Sequence, residues 1–279
     1  MDSAGLLRYK QVKHRADYQP RAFPVNPASS NRRTVILPKL VAHRGLPFDY
    51  PENSLEGFSA VLAAGAKFIE TDVQLSADGV AVLSHDENLE KLAGQAISVT
   101  QSAFATFKEI STGYPARFGE RFAGSRIATL AQFSALLSQW PAVTCFVELK
   151  RESLKRYGSG FVDRVVETIA PISRQSVLIS FDYDALLYTR RHHAIPLGWV
   201  LPAWSDANRV KAEKLMPDYL FINKDKLPAG NNSLWQASGQ WVIYTVNSVA
   251  QYEKYDAPGV SLVETDCYTR LVAELNHAG

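Results

Sequence analysis

His43, Arg44, Glu70, Asp72, His85, Glu148 and Lys150 are the residues of this chain whose types and placement can do chemistry together. Each follows a short apolar run: Leu40-Val41-Ala42 leads into His43-Arg44-Gly45, and Phe68-Ile69 into Glu70-Thr71-Asp72. Val80-Ala81-Val82-Leu83 leads into Ser84-His85-Asp86, and the run ending at Val147 into Glu148-Leu149-Lys150. A buried strand that ends in charge must pair that charge, bind a metal with it or use it, because an unpaired buried carboxylate is costly. Clustered carboxylates without cysteine or a histidine-rich set favour a hard cation, Mg2+ or Ca2+, over zinc. Imidazoles change charge closest to neutral pH and suit acid and base roles. The set fits metal-assisted chemistry on a phosphate-like substrate. The competing reading is plain salt bridging of the carboxylates to Arg44 and Lys150.

The elements that must position these groups alternate along the chain. Strand patterns around Leu40–His43, Ala66–Val73, Thr144–Glu148, Val177–Ser180, Leu197–Val200, Tyr219–Ile222, Trp241–Tyr244 and Val260–Val263 are separated by helical patterns. The helical stretches are 54–65, 132–139, 161–169, 184–191, 209–215, a weak one around Trp235, 249–255 and 269–275. Strand–helix alternation over this length predicts a closed parallel (β/α)8 barrel, whose active sites lie at the carboxyl ends of the strands. An open doubly wound sheet would want an early glycine-rich phosphate loop, and His43-Arg44-Gly45-Leu46 is not one. Side chains alternate along a strand, so Phe68, Glu70 and Asp72 share one face, as do Phe146, Glu148 and Lys150. If Glu70 and Glu148 point to the barrel axis, the three carboxylates converge at the mouth and Cys145 points away.

One unit is longer. Asp78-Gly79 between extended runs predicts a hairpin that returns His85 toward the mouth. The stretch 87–126, rich in glycine, serine, threonine and aromatics, is expected to cap or line the entrance. Residues 1–38 form a basic extension: Arg8, Lys10, Lys13, Arg15, Arg21, Arg32 and Arg33 stand against Asp2 and Asp17, and Pro20, Pro24 and Pro27 break any helix. It reads as a solvated tail, with weak contact to an anionic membrane surface as the alternative. Residues 39–279 form the barrel. A formal net charge of +2 does not suit a nucleic-acid partner, and no apolar window suits a membrane span. Two distant cysteines, Cys145 and Cys267, fit a reducing, cytoplasmic setting rather than a disulfide framework. His14, His192, His193 and His277 read as ordinary structural or surface histidines, and no G-x-S-x-G nucleophile elbow occurs.

The motifs Val41-Ala42-His43-Arg44-Gly45, Pro51-Glu52-Asn53-Ser54, Ile69-Glu70-Thr71-Asp72-Val73-Gln74-Leu75, Asp78-Gly79 and His85-Asp86 closely resemble the glycerophosphodiester phosphodiesterases. Glu148-Leu149-Lys150, Tyr244-Thr245-Val246-Asn247 and Val263-Glu264-Thr265-Asp266 look like that family's later strand ends. The resemblance covers about Leu40 to Leu275. It implies a barrel enzyme that uses one divalent cation, Mg2+ or Ca2+, to hydrolyse a small-molecule glycerophosphodiester to glycerol 3-phosphate and an alcohol. It carries the metal onto Glu70, Asp72 and Glu148, acid–base work onto His43 and His85, and phosphate contacts onto Arg44 and Lys150. Glu52, Asn53 and Tyr244 would join them at the substrate. Lysophospholipase D or phospholipase-type chemistry on the same barrel, and a non-catalytic binding barrel, are the alternatives. Two departures bear on the alcohol: Tyr244 stands where the family often has tryptophan, and 88–94 lacks the family's usual arginine and threonine pattern.

Overall fold

The computed structural model describes residues 39–228 and 234–278; the basic extension 1–38 lies outside them. Eight parallel strands close into a barrel. In chain order they are β1 (Leu40–Ala42), β2 (Phe68–Leu75), β4 (Thr144–Leu149), β5 (Ser176–Ser180), β6 (Leu197–Val200), β7 (Tyr219–Asn223), β8 (Gln240–Tyr244) and β9 (Val260–Thr265). β1 pairs with both β2 and β9, which shuts the ring. β3 (Ala81–Leu83) lies outside the ring and pairs antiparallel with the far end of β2.

The helices pack around the ring, and at five of them the polar residue before the first turn caps it. Ser54 caps α1 (Leu55–Ala63) by accepting from Gly57 N at 3.1 Å, and Thr129 and Gln132 form a reciprocal capping box on α5 (Leu130–Leu137). Asp182, Ser205 and Ser248 do the same for α8 (Tyr183–His192), α9 (Asp206–Leu215) and α10 (Val249–Tyr255). α6 (Arg151–Tyr157), α7 (Ser159–Thr168) and α11 (Tyr268–Ala278) complete the long helices. The helix expected around Trp235 is absent among the described residues: 234–237 is irregular, and a 3-10 turn at Lys224–Lys226 follows β7. Trp235 stacks on Trp204 at 3.9 Å and meets Trp241 at 5.3 Å, so ring packing rather than helical periodicity places it. No helix among the described residues is long and apolar enough to cross a membrane.

Two buried layers result. Leu40, Ile69, Cys145 and Val147 face the helices, so Cys145 does point outward. Val41, Phe146, Ile179, Phe221, Val242 and Leu262 fill the barrel, with Phe146 edge-on to Tyr219 and Phe221 at 4.9 and 5.1 Å. The interior is tight at β6: a Cβ on Gly198 would lie 2.7 Å from Ile179 Cγ2. This apolar plug is the floor on which the polar mouth stands.

Beyond the ring, β2 runs on into the hairpin with β3, in the register Val73↔Leu83 and Leu75↔Ala81. Asp78 steadies the turn by accepting from Ser76 Oγ at 2.6 Å and Phe104 N at 2.9 Å. The following insertion holds single-turn helices α2 (Glu90–Ala93), α3 (Phe104–Phe107) and α4 (Pro115–Phe118) around a small core of Val82, Leu89, Val99, Phe107 and Ile127.

Candidate active site

Register brings the carboxylates together. Asp72 on β2 is the in-register partner of Glu148 on β4, and Val41 is that of Glu264 on β9. Adjacent parallel strands lie about 4.8 Å apart, so in-register side chains on one face are neighbours. Glu70, Asp72 and Glu148 each offer an oxygen within 4.8 Å of the others. Glu70 and Asp72 are buried, Glu148 half-buried.

Two cations sit among them. Arg44 Nε lies 3.0 Å from Asp72 Oδ2, and Lys150 Nζ lies 3.3 Å from Asp72 Oδ1 and 3.0 Å from Glu148 Oε1. Burial opposes ionisation of Asp72, but Arg44 and Lys150 outweigh it and hold the carboxyl far below its ordinary range. Glu70 is different. Burial, then the like charges of Asp72, Glu264 and Glu148, push it well up. Its Oε2 accepts from Arg44 N at 3.1 Å, and its buried Oε1 has no hydrogen-bond partner. A buried oxygen without a donor, in a cluster of mutually repelling carboxylates, suits a hard divalent cation. Arg44 reaches this position in the left-handed region, at φ 51°, and Gly45 at φ 85° packs against α1, where a Cβ would meet Gly57 C at 3.2 Å.

His43 follows β1. Its Nδ1 is 2.6 Å from Asp266 Oδ1, which leaves Nε2 facing Glu264 at 3.7 Å and Glu70 at 3.9 Å. Burial disfavours the imidazolium, but the carboxylates of Glu264 and Asp266 outweigh it against the opposing charge of Arg44, so the pKa of His43 is raised. His85 follows β3, with Nδ1 2.7 Å from Asp86 Oδ1. Burial lowers its pKa, helped by Arg44 and Lys150 and opposed by Asp72. Tyr244 closes β8, half-buried against the barrel's apolar plug; burial and then Glu264 raise its phenol.

Glu52 is at the mouth, 3.5 Å from Arg44 and 2.7 Å from Lys91 of the insertion. Glu52, His85 and Asp86 form a second, more exposed group of potential ligands. Asn53, expected to touch substrate, is 2% exposed, and its amide is turned to β2. Nδ2 donates to Asp72 Oδ2 at 3.0 Å, and Oδ1 accepts from Thr71 Oγ1 at 2.9 Å and Asp72 N at 3.2 Å. It supports Asp72 from behind.

The strand-end reading assigned no role to Glu264, Asp266 or Asn247. Asn247 Nδ2 donates to Asp266 Oδ2 at 2.8 Å, while its Oδ1 accepts from Thr265 Oγ1 at 3.1 Å and Asp266 N at 2.9 Å. The available signal was a repeated spacing: Asn53 precedes Glu70-Thr71-Asp72 as Asn247 precedes Glu264-Thr265-Asp266.

The model of the glycerophosphoryl diester phosphodiesterase family matches residues 43–268. Among curated proteins, the glycerophosphodiester phosphodiesterase of Caldanaerobacter subterraneus subsp. tengcongensis is 30% identical over 192 residues, 66% of this chain and 76% of that protein. Glycerophosphodiester phosphodiesterase 1 of Bos taurus is 25% identical over 259 residues, 87% of this chain and 77% of that protein. Among solved structures, an Oleispira antarctica phosphodiesterase in complex with the product sn-glycerol-3-phosphate has a TM-score of 0.73 at 23% identity, covering 86% of this chain and 97% of that one.

Proposed function

The chain belongs to the glycerophosphoryl diester phosphodiesterase family, and from that membership and the geometry of its mouth we propose that it hydrolyses glycerophosphodiesters to glycerol 3-phosphate and an alcohol with the help of a divalent cation. The observation that carries the metal is the trio Glu70, Asp72 and Glu148, with an unpartnered oxygen on buried Glu70. Those three residues would hold the cation, Mg2+ or Ca2+, which would supply positive charge against the negative charge that builds on the phosphoryl oxygens. Arg44 and Lys150 add fixed charge on either side of Asp72 and orient the phosphodiester between them. Each also serves Asp72, so the site is charged before substrate arrives.

His43 and His85 divide the proton transfers. One takes the proton of the glycerol hydroxyl next to the phosphate, and that oxygen attacks phosphorus. The other gives a proton to the alcohol oxygen as its bond to phosphorus breaks. Water then opens the cyclic phosphate with the roles reversed. Asp266 fixes the orientation of the His43 ring, so that Nε2 is the nitrogen presented to the mouth. Tyr244 walls the pocket and contacts the glycerol or the alcohol rather than phosphorus.

The test is release of glycerol 3-phosphate from a panel of glycerophosphodiesters, with EDTA and after metal is restored. Turnover should vanish on chelation and return with Mg2+ or Ca2+. Full activity in the chelated protein would remove the metal, and no release from any diester would remove the activity.

A further inference from the structure

Phe48, in the loop between β1 and α1, stands at the outer lip of a 220 Å3 cavity that His43 and Arg44 also line. Two guanidinium groups approach its ring. Arg117 of α4 lies 5.5 Å from the ring centroid, and Arg270 of α11 lies 5.0 Å away. Arg117 lines the same cavity, is 5.1 Å from the Phe118 ring, and donates from NH2 to Phe48 O at 3.2 Å. The insertion thus holds an exposed guanidinium in place at the cavity that His43 also lines.

The charges around it are unequal. Within the cavity Arg44 is matched by Asp72 and Glu52, Glu52 also by Lys91, and Asp266 by His43. Arg270 has Glu274 at 3.4 Å. Arg117 has no carboxylate within ion-pair distance among the described residues. One backbone hydrogen bond leaves most of its five N–H donors without a partner among the described residues, and a planar guanidinium fork matches phosphate and carboxylate oxygens. A quaternary ammonium would need an open aromatic face or an unmatched carboxylate here. The ring of Phe48 already has two cations against it, and the cavity's carboxylates are paired.

Resting on the hydrolytic reading above, we propose that Arg117 selects glycerophosphodiesters whose alcohol carries a second anionic group, a phosphate, phosphodiester or carboxylate. The neighbouring anion docks on the guanidinium while the scissile phosphate lies between Arg44 and Lys150. The chemistry is unchanged: water is consumed, one phosphorus–oxygen bond breaks, and the departing alcohol leaves with its own charge.

A matched pair of substrates isolates this contact. Glycerophosphoglycerol releases neutral glycerol, whereas bis(glycerophospho)glycerol releases glycerophosphoglycerol, an anion, from the same kind of bond. The wild-type enzyme should favour the second in kcat/KM. Arg117→Ala should lower kcat/KM for bis(glycerophospho)glycerol by about tenfold, mainly through KM, and leave glycerophosphoglycerol within about twofold. Arg117→Lys should retain part of the preference, Arg117→Glu should reverse it, and added salt should narrow it in the wild type. Glycerophosphocholine should respond to Arg117→Ala as the neutral diester does. Equal efficiency of wild type on both glycerol diesters, or an equal loss on both in Arg117→Ala, overturns the assignment and leaves the hydrolytic reading intact. Failure to hydrolyse any of them overturns both.

Discussion

Two segments of the barrel, β1–α1–β2 and β8–α10–β9, carry the same device. In each, an asparagine after the first strand precedes a serine that caps the helix, and Glu-Thr-Asp follows seventeen residues after the asparagine, on or just past the second strand. In each, the asparagine Oδ1 takes the threonine hydroxyl and the aspartate N–H, and its Nδ2 gives to the aspartate carboxylate. The scaffolds match; the partners of the two aspartates differ. Asp72 faces Arg44 and Lys150, cations that stay charged across the working pH range. Asp266 faces His43, which does not. One backbone device therefore holds a permanently anionic carboxylate at one place in the ring and aims an imidazole at another. What a strand-end aspartate does depends on the cation set opposite it, more than on the motif that presents it.

Removing each aspartate's charge should separate these jobs by size. Asp72→Asn takes away a proposed metal ligand and strips Arg44 and Lys150 of their shared counter-charge. It should reduce kcat/KM by on the order of 10³-fold. Asp266→Asn leaves the metal trio intact, loosens the orientation of His43 and removes one of the charges that raise its pKa. A loss of about 10–100-fold, in kcat more than in KM, is expected. Steady-state kinetics on one good diester, with circular dichroism to confirm folding, decides this. Equal losses would mean that the two devices do the same work.

The strand ends were legible because barrel strands are short and their polar termini interrupt apolar runs. The parity of Phe68, Glu70 and Asp72 correctly turned the carboxylates inward, and Asp78-Gly79 marked the hairpin through turn chemistry that acts locally. What failed was either tertiary or far away in sequence. Asp266 meets His43 across 223 positions, and only ring closure between β1 and β9 brings them together. The resemblance put Asn53 at the substrate, yet its side chain is turned to β2, where Thr71 and Asp72 take one of its amide N–H groups and its oxygen. The weak helical signal around Trp235 is met instead by packing of that ring on Trp204 and Trp241. Arg117 lies in the insertion, where no periodicity indicates which surface a single-turn helix will face.

The supporting asparagines should differ less than the aspartates. Asn53→Ala leaves Thr71 Oγ1 and Asp72 N without an acceptor in a fully buried place, a loss of about 2–3 kcal/mol. Asn247 is half-buried, and water can replace part of what it offers, so Asn247→Ala should destabilise by about 1 kcal/mol. Urea unfolding midpoints at constant slope compare them. A larger loss at Asn247 would show that the β9 device is the more deeply structural of the two.

The finest difference is in pH. His43 has a raised pKa in the folded protein, so its contribution to stability is complete below the ordinary histidine value of 6.5 and is lost as pH rises through the raised value. Asp266 has a lowered pKa, because hydrogen bonding and charge from His43 outweigh its burial. Its contribution is complete above the ordinary value of 3.8 and is lost as pH falls through the lowered one. The pair is therefore fully stabilising between about pH 4 and pH 6.5 and weakens on both sides. In the metal-free protein, the stability difference between wild type and Asp266→Asn should show a plateau in that window, declining in acid and again above neutrality. Arg44 and Lys150 add no such alkaline limb to the Asp72 device, since they hold their protons there. With Glu70 and Glu148 both replaced by Gln, which removes the repulsion that Asp72 exerts on them, Asp72→Asn should give a difference that stays flat from neutral to mildly alkaline pH. Thermal unfolding of each pair of proteins across pH 3–9 measures both curves. An alkaline decline for Asp72→Asn as steep as that for Asp266→Asn would refute the claim that the two devices differ by the titratability of their partners.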